Sequence, residues 1–496
     1  MSLSRLPAIL ALILLLVFPC QRRAEAYSLL THEQLIDLTW QDSIVPLLLS
    51  RYPDLTPAQL EEARAYAYGG CVIQDIGYYP FGDMAYSNLT HYVRAGDFIV
   101  NLFRNAENAN ELAFAIGALS HYIGDTIGHP HATNIAVPVA FPKLAARYGP
   151  SVNYAQGKHQ HVRTEFGFDI NEIAHHRVAP VHYLRHVGLE VSVRQLAVAY
   201  YQTYGITEDF TGTHKHRFNV GGYRFAVRAF IPRIAYAVTL LHRKHEPLEA
   251  SSPERVELNK EAAAVAIQNN WQAYRRKAGI GTYTLAGLIF IVPKIGPLKL
   301  VAVKDPTEAT EADYLHSVVL SLAALRQRLA SFTPPASMRT ANANAISKST
   351  NAPLPPPRPL PVGSADGQSA HPVPDRRHPL PNRDLDTGLG VQPGGYPLTD
   401  STYADLLHRL TRTPAQPIPP GIKEDILAYY ADPASPISTK KIPSVWAQVQ
   451  ADLSTLAVMP TSTEPEPYPT YGDDAVDPHS APVEQAPAAS ADHQEP

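Results

Sequence analysis

Cysteine is nearly missing from this chain: its 496 residues include two, Cys20 and Cys71. Cys20 falls inside an N-terminal leader, so the exported protein keeps Cys71 alone and has no internal disulfide. Its stability must then come from a packed core, supplemented by metal where ligands for one exist. A strong charge of one sign is missing too. The formal net charge is -4 and the pI about 6.6, which excludes wrapping nucleic acid or coating an anionic membrane by bulk charge. No internal run offers twenty clean apolar residues. Tyr283–Val303 is the most apolar, but Pro293, Lys294, Pro297 and Lys299 interrupt it, and it is expected as a buried core helix ending at the Pro-Lys-Ile-Gly-Pro turn rather than as a membrane-touching segment. Few strand-like alternations occur and no internal repeat stands out.

The first residues, MSLSRLPAILALILLLVFPCQRRAEAY, read as a secretory signal peptide. Arg5 supplies the positive start, Leu6–Phe18 the short apolar core, and Ala24-Glu25-Ala26 a small-x-small cleavage site. Cleavage after Ala26 gives a secreted or periplasmic protein. A lipoprotein anchor on Cys20 is the rival, and the preceding Val17-Phe18-Pro19 fits it poorly.

Composition divides the rest. Of 46 prolines, 29 lie from Ser331 onward, so helices are expected mainly before that point. Thr56-Pro57-Ala58-Gln59 has the form of a capped helix start with a capping box. Asn108–Gly124 repeats apolar residues at three- and four-residue spacing. Val191–Tyr204, Gly222–His245 and Pro253–Lys277 also read as helical. The expected organisation is a signal peptide (1–26), a mainly α single domain of many helices (27–332), a Pro-rich linker (333–392), short C-terminal helices (393–460) and a disordered tail (461–496). The C-terminal helices could dock on the main domain or form a separate module.

Histidine is plentiful, 21 residues, mostly before His245. In order along the helical region stand His32, Asp75, His91, His121, Asp125, His131, His161 and Glu165. Two pairs, His121/Asp125 and His161/Glu165, are one helical turn apart. Each fragment alone suits a surface pair, a turn or an ordinary hydrogen bond. Together they supply five histidines and three carboxylates, the mixture of nitrogen and oxygen donors that zinc accepts without cysteine. Two nearby zinc ions sharing a carboxylate suit phosphoryl transfer, and Asp125 is the natural bridge. His129 and His159 are set aside on spacing.

The ordered set, with Tyr27, Thr31-His32, Asp75, His91-Tyr92, His121-Tyr122-Ile123-Gly124-Asp125, His131 and His161-x-x-x-Glu165, resembles the zinc-dependent phospholipase C family, related to the S1/P1 nucleases. The N-terminal part of glycosylphosphatidylinositol phospholipase D is similar as well. The resemblance covers about Tyr27 to Asp169 and implies a phospholipase C/P1 nuclease-like helical domain holding three zinc ions. By that likeness Asp75, His91, His121 and Asp125 would hold one ion. His131, His161 and Glu165 would hold a second. His32, Asp125 and the backbone amine and carbonyl of Tyr27 would hold a third. Many family members begin with tryptophan; tyrosine here is a departure that leaves the backbone ligands unchanged.

The function implied is hydrolysis of a phospholipid phosphodiester by metal-activated water, with Asp75 a ligand first and a base second. Transient contact with a membrane surface would accompany it, and no nucleic-acid partner is expected. The family's choline-recognising residues have no clear counterparts, so the head group is open. Two alternatives remain: an S1/P1-like single-strand nuclease, in which Tyr78 or Tyr79 would stack a base, and a non-catalytic zinc-binding secreted module.

Overall fold

The computed structural model describes residues 29–78, 82–208, 210, 214–242, 251–276, 278–291, 302–332 and 378–462. Tyr27, Tyr79, the signal peptide, residues 333–377 of the expected linker, the Pro-Lys-Ile-Gly-Pro turn and the tail after 462 lie outside the described residues. Among those described, the chain is helical with no β-strand; only two isolated β-bridges occur.

The helices that position the site are α1 (Leu29–Thr39), α2 (Pro57–Gly70), α3 (Met84–Tyr92), α4 (Ala95–Arg104), α5 (Ala109–Gly128) and α6 (Tyr154–Ala174). Later come α7 (Ile280–Ile291), α8 (Glu308–Phe332), α9 (Pro397–Thr411), α10 (Ile422–Tyr429) and α11 (Pro443–Val458). The expected capping box forms: the Thr56 hydroxyl accepts from the Gln59 N–H while the Gln59 side chain accepts from the Thr56 N–H. Asn108 caps α5 through the Glu111 N–H.

At the centre, α2 packs against α5 at a separation that glycine sets. A Cβ added at Gly70 would stand 2.1 Å from the Phe114 carbonyl oxygen, and one at Gly117 would stand 2.2 Å from that of Ala67. Only hydrogen fits at both points. Because the two backbones touch, the residues just after α2 lie against the middle of α5, where His121 sits.

Helix α1 is held at its open end. Its first N–H groups have no partner within the helix, and Asp169 on α6 takes them: the Leu30 and Thr31 N–H groups and the Thr31 hydroxyl all donate to its carboxylate, at 2.9–3.1 Å. A buried charge network ties the same helices to α8, with Arg177 bonded to Glu172 and Glu311 and Gln34 donating to Glu172. Such a pairing is costly to break, because each partner would be left as an uncompensated buried charge.

Two expectations are corrected. Helix α7, expected in the core, buries only Ala286 among its described residues, with Ile280 88 % and Phe290 72 % exposed. Its apolar residues run all round the helix, so one buried face cannot cover them. Residues 378–392, expected within the linker, are packed on the main domain. Leu380, Leu385, Leu406 and Leu407 share one apolar core with α4 and α5, so 378–462 is part of the same body rather than a separate module. The Leu385 N–H donates to the His91 carbonyl, the Tyr122 hydroxyl to that of Pro381, and the Asp97 N–H to Asn382 Oδ1. Arg94, in the left-handed region at the start of α4 (φ 51°), binds both Asp97 and Asp425. His378 lies between the same two carboxylates.

Candidate metal centre

Four segments bring donor atoms together. Helix α1 contributes His32, the 3-10 turn Ile73–Gly77 contributes Asp75, α3 contributes His91, and α5 contributes His121 and Asp125. All five residues are buried. Asp125 faces His32 Nε2 with Oδ1 at 3.3 Å and His121 Nε2 with Oδ2 at 3.1 Å. Asp75 Oδ1 lies 3.2 Å from His91 Nε2, and the Nε2 atoms of His91 and His121 are 3.4 Å apart.

The orientation of two rings follows from what their other nitrogens do. His91 Nδ1 lies 2.7 Å from the Ser87 carbonyl oxygen and His121 Nδ1 lies 3.0 Å from that of Cys71. A carbonyl only accepts, so each Nδ1 carries the hydrogen. In the neutral ring Nε2 then turns a bare lone pair inward, toward the carboxylates. This is how proteins orient imidazoles around a metal.

Burial alone would disfavour a charged His91, but Asp125 and Asp75 outweigh it and push its pKa up to about 10. His121 is likewise raised: burial opposes its cation and the two carboxylates overcome it. For His32 burial wins, helped by His121, and its pKa falls. Burial also opposes ionisation of Asp125, yet His121 and its neighbours hold that carboxyl well below its usual range. The concentrated negative charge calls for positive charge, which a metal would supply in place of protons.

A second group forms beside the first. Glu165 Oε1 is 2.7 Å from His161 Nε2 and 3.6 Å from His129 Nε2, and the two rings meet edge to face at 4.9 Å. Burial and then the charge of His129 push His161 down to about 3. His131, expected as the ligand here, is exposed and outside the group, while His129, set aside on spacing, is inside it. Helix geometry explains the exchange. Four residues after Asp125 the chain has turned only about 40° from it, whereas six residues after it points about 120° away. Helix α5 runs to Gly128 and passes into a π-helical turn at His129–Thr133, closed by the Asn134 N–H on the His129 carbonyl. His129 thus stays near the face of Asp125. The signal was present as His121, Asp125 and His129 at successive one-turn steps.

Asp386, which nothing in the sequence marked, reaches His129 from the C-terminal segment: its Oδ1 lies 3.4 Å from His129 Nδ1. Burial opposes its ionisation, and the contact with His129 overcomes this and keeps its pKa below the ordinary value. Nearby Asp384 is pushed the other way, to about 8, by burial and by the charge of Asp386.

The donor set suits zinc. Ligand atoms converge in three groups: His32/His121/Asp125, Asp75/His91/His121 and His129/His161/Glu165. Both oxygens of Asp125, Oδ1 of Asp75, Nε2 of His129 and Nδ1 of His161 are buried with no hydrogen-bond partner. Leaving so many polar atoms unsatisfied is expensive, and coordination is what imidazole and carboxylate do together. A further group, Asp97/His378/Asp425, is different in kind. The Arg94 guanidinium already occupies both carboxylates, and a metal there would be repelled.

The comparison with known families agrees with this chemistry. Residues 31–209 match the zinc-dependent phospholipase C family. The chain resembles that family in its helical fold and in a region that contains His32, Asp75, His91, His121, Asp125, His129, His161 and Glu165. Zinc-dependent phosphodiester hydrolysis of phospholipids is therefore the general class of activity indicated. Asp386 lies beyond the matched residues. No curated protein and no solved structure gives a significant match.

Proposed function

We propose that this protein is a secreted phosphodiesterase that hydrolyses phospholipids on the phospholipase C side, using zinc held by the two adjoining groups. The observation that carries this reading is the buried Asp125, whose two oxygens face different histidines and have no hydrogen-bond partner. Bound zinc supplies Lewis acidity toward the phosphoryl oxygens and a nucleophile from water at neutral pH. The chain's own residues fix the rest. The Ser87 and Cys71 carbonyls hold the His91 and His121 rings, Asp125 stands among His32, His91 and His121, and Asp75 Oδ1 would be both a ligand atom and the nearest candidate to take a proton. A third ion would use His32 and Asp125 together with the α-amine of Tyr27, freed by cleavage after Ala26. Extending the mature chain by one residue before Tyr27 should then lower the zinc content by one ion. Unchanged zinc and activity would refute that part.

The exposed apolar residues of α7 support contact with a lipid surface. No described helix is long and apolar enough to cross a membrane. Replacing Phe290 and Ile291 by Ser should reduce turnover on vesicles while leaving a soluble phosphodiester unaffected.

The deciding experiment assays the processed, zinc-loaded protein on phosphatidylcholine vesicles and on single-stranded DNA. Zinc-dependent release of diacylglycerol is expected. Hydrolysis of DNA alone would replace this reading with a nuclease, and zinc binding without turnover of either would make the site structural.

A further inference from the structure

We propose that Asp386, delivered by the C-terminal segment, is a positioning residue that orients His129 as a metal ligand. The proposal rests on the zinc reading above and extends it to a part of the chain beyond the family-matched residues. His129 presents its two nitrogens to different neighbours. Nε2 faces Glu165 and the His161 side of the group, while Nδ1 faces Asp386 Oδ1 at 3.4 Å. A histidine ligating through one nitrogen needs an acceptor opposite the other to fix its tautomer and ring angle. No other carboxylate is paired with Nδ1 among the described ion pairs of His129.

Asp386 is itself built in. The Tyr92 and Tyr396 hydroxyls donate to its Oδ2, at 3.0 and 2.5 Å. Its N–H donates to Asp384 Oδ1, and its carbonyl accepts from Asn134 Nδ2, one residue past the His129–Thr133 turn. These contacts hold Oδ2 and the backbone and leave Oδ1 for His129. Asp386 is not one of the three residues whose donor atoms converge on the second site, so its place is behind the ligand. The C-terminal segment thereby becomes part of the metal site.

The test compares zinc affinity, by competition with a chelator, in the full-length wild type, Asp386→Ala and Asp386→Asn, with unfolding of each metal-free protein as a control. Asp386→Ala should weaken one zinc ion by roughly 10–100-fold and leave the tighter ions in place. Asp386→Asn keeps an accepting oxygen and should recover part of that loss. If Asp386→Ala does not fold, Tyr396→Phe, which removes one donor to Oδ2, should give a smaller loss at the same ion. A wild type that holds zinc and an Asp386→Ala protein that binds it equally well would overturn the proposal alone. Equal losses in the Ala and Asn variants, tracking their metal-free stability, would also overturn it by making Asp386 merely structural. A wild type that holds no zinc would overturn this proposal together with the zinc reading.

Discussion

His121 Nδ1 donates to the carbonyl oxygen of Cys71, fifty residues earlier in the chain, at 3.0 Å. The contact exists because Gly70 and Gly117 let α2 and α5 touch backbone to backbone. Gly117→Ala should therefore do more than strain the core. Overpacking of this kind costs about 1–3 kcal/mol, visible in urea unfolding of the metal-free protein. Forcing the helices apart should also draw the Cys71 carbonyl away from His121 and weaken zinc binding. Weakened stability with unaltered zinc affinity would show that the crossing does not position the ligand.

Asp125→Asn removes the charge that faces His32, His91 and His121. The variant should lose more than one zinc equivalent by elemental analysis and fall to background in phosphodiester hydrolysis. Loss of a single equivalent would show that Asp125 serves one ion only.

His129 and His131 can be told apart directly. His129→Ala should lose zinc and at least about 100-fold in activity, more than the loss of a residue behind a ligand costs. His131→Ala, at an exposed position, should change stability by no more than about 0.5 kcal/mol and leave zinc unchanged. The reverse pattern would restore the spacing inferred from the family resemblance.

The contact that fastens residue 378 to the domain should depend on pH. Hydrogen bonds donated to Asp425 and Asp97 raise the pKa of His378 from 6.5 to about 10. A group raised in the folded state adds stability that is fully present below about pH 6.5 and is lost as pH climbs through about 10. The slope cannot exceed ~1.4 kcal/mol per pH unit. It should be well below that, since the half-buried ring is partly screened by solvent. Urea midpoints at pH 6.5, 8 and 10 should fall in the wild type and flatten in His378→Ala. Identical slopes would rule out this contribution.

Helices, caps and most donor residues were legible because each leaves a local trace. Thr56 and Gln59 are three apart, His121 and Asp125 are one turn apart, and apolar residues of α5 recur at helical spacing. His129 left the same trace, but the spacing carried over from the family outweighed it. The wide turn at His129–Thr133, which decides between the two histidines, is a backbone event that residue types do not announce. Asp386 left none. It follows a Pro-rich stretch, and its role arises from contacts with Tyr92 and His129 more than 250 positions away. The exposure of α7 was equally hidden, since an apolar composition says what a helix would favour and not whether the rest of the fold covers it.

The covalent link from α8 to the segment carrying Asp386 runs through residues 333–377. A covalent connection sets an effective concentration that falls as its length grows. One cut in the tether would remove no residue, yet docking would become an encounter between two molecules. Dilution of the nicked protein would then release residues 378–462 and, with them, the group behind His129. Intact and nicked protein of identical composition should differ in how strongly their zinc binding depends on protein concentration.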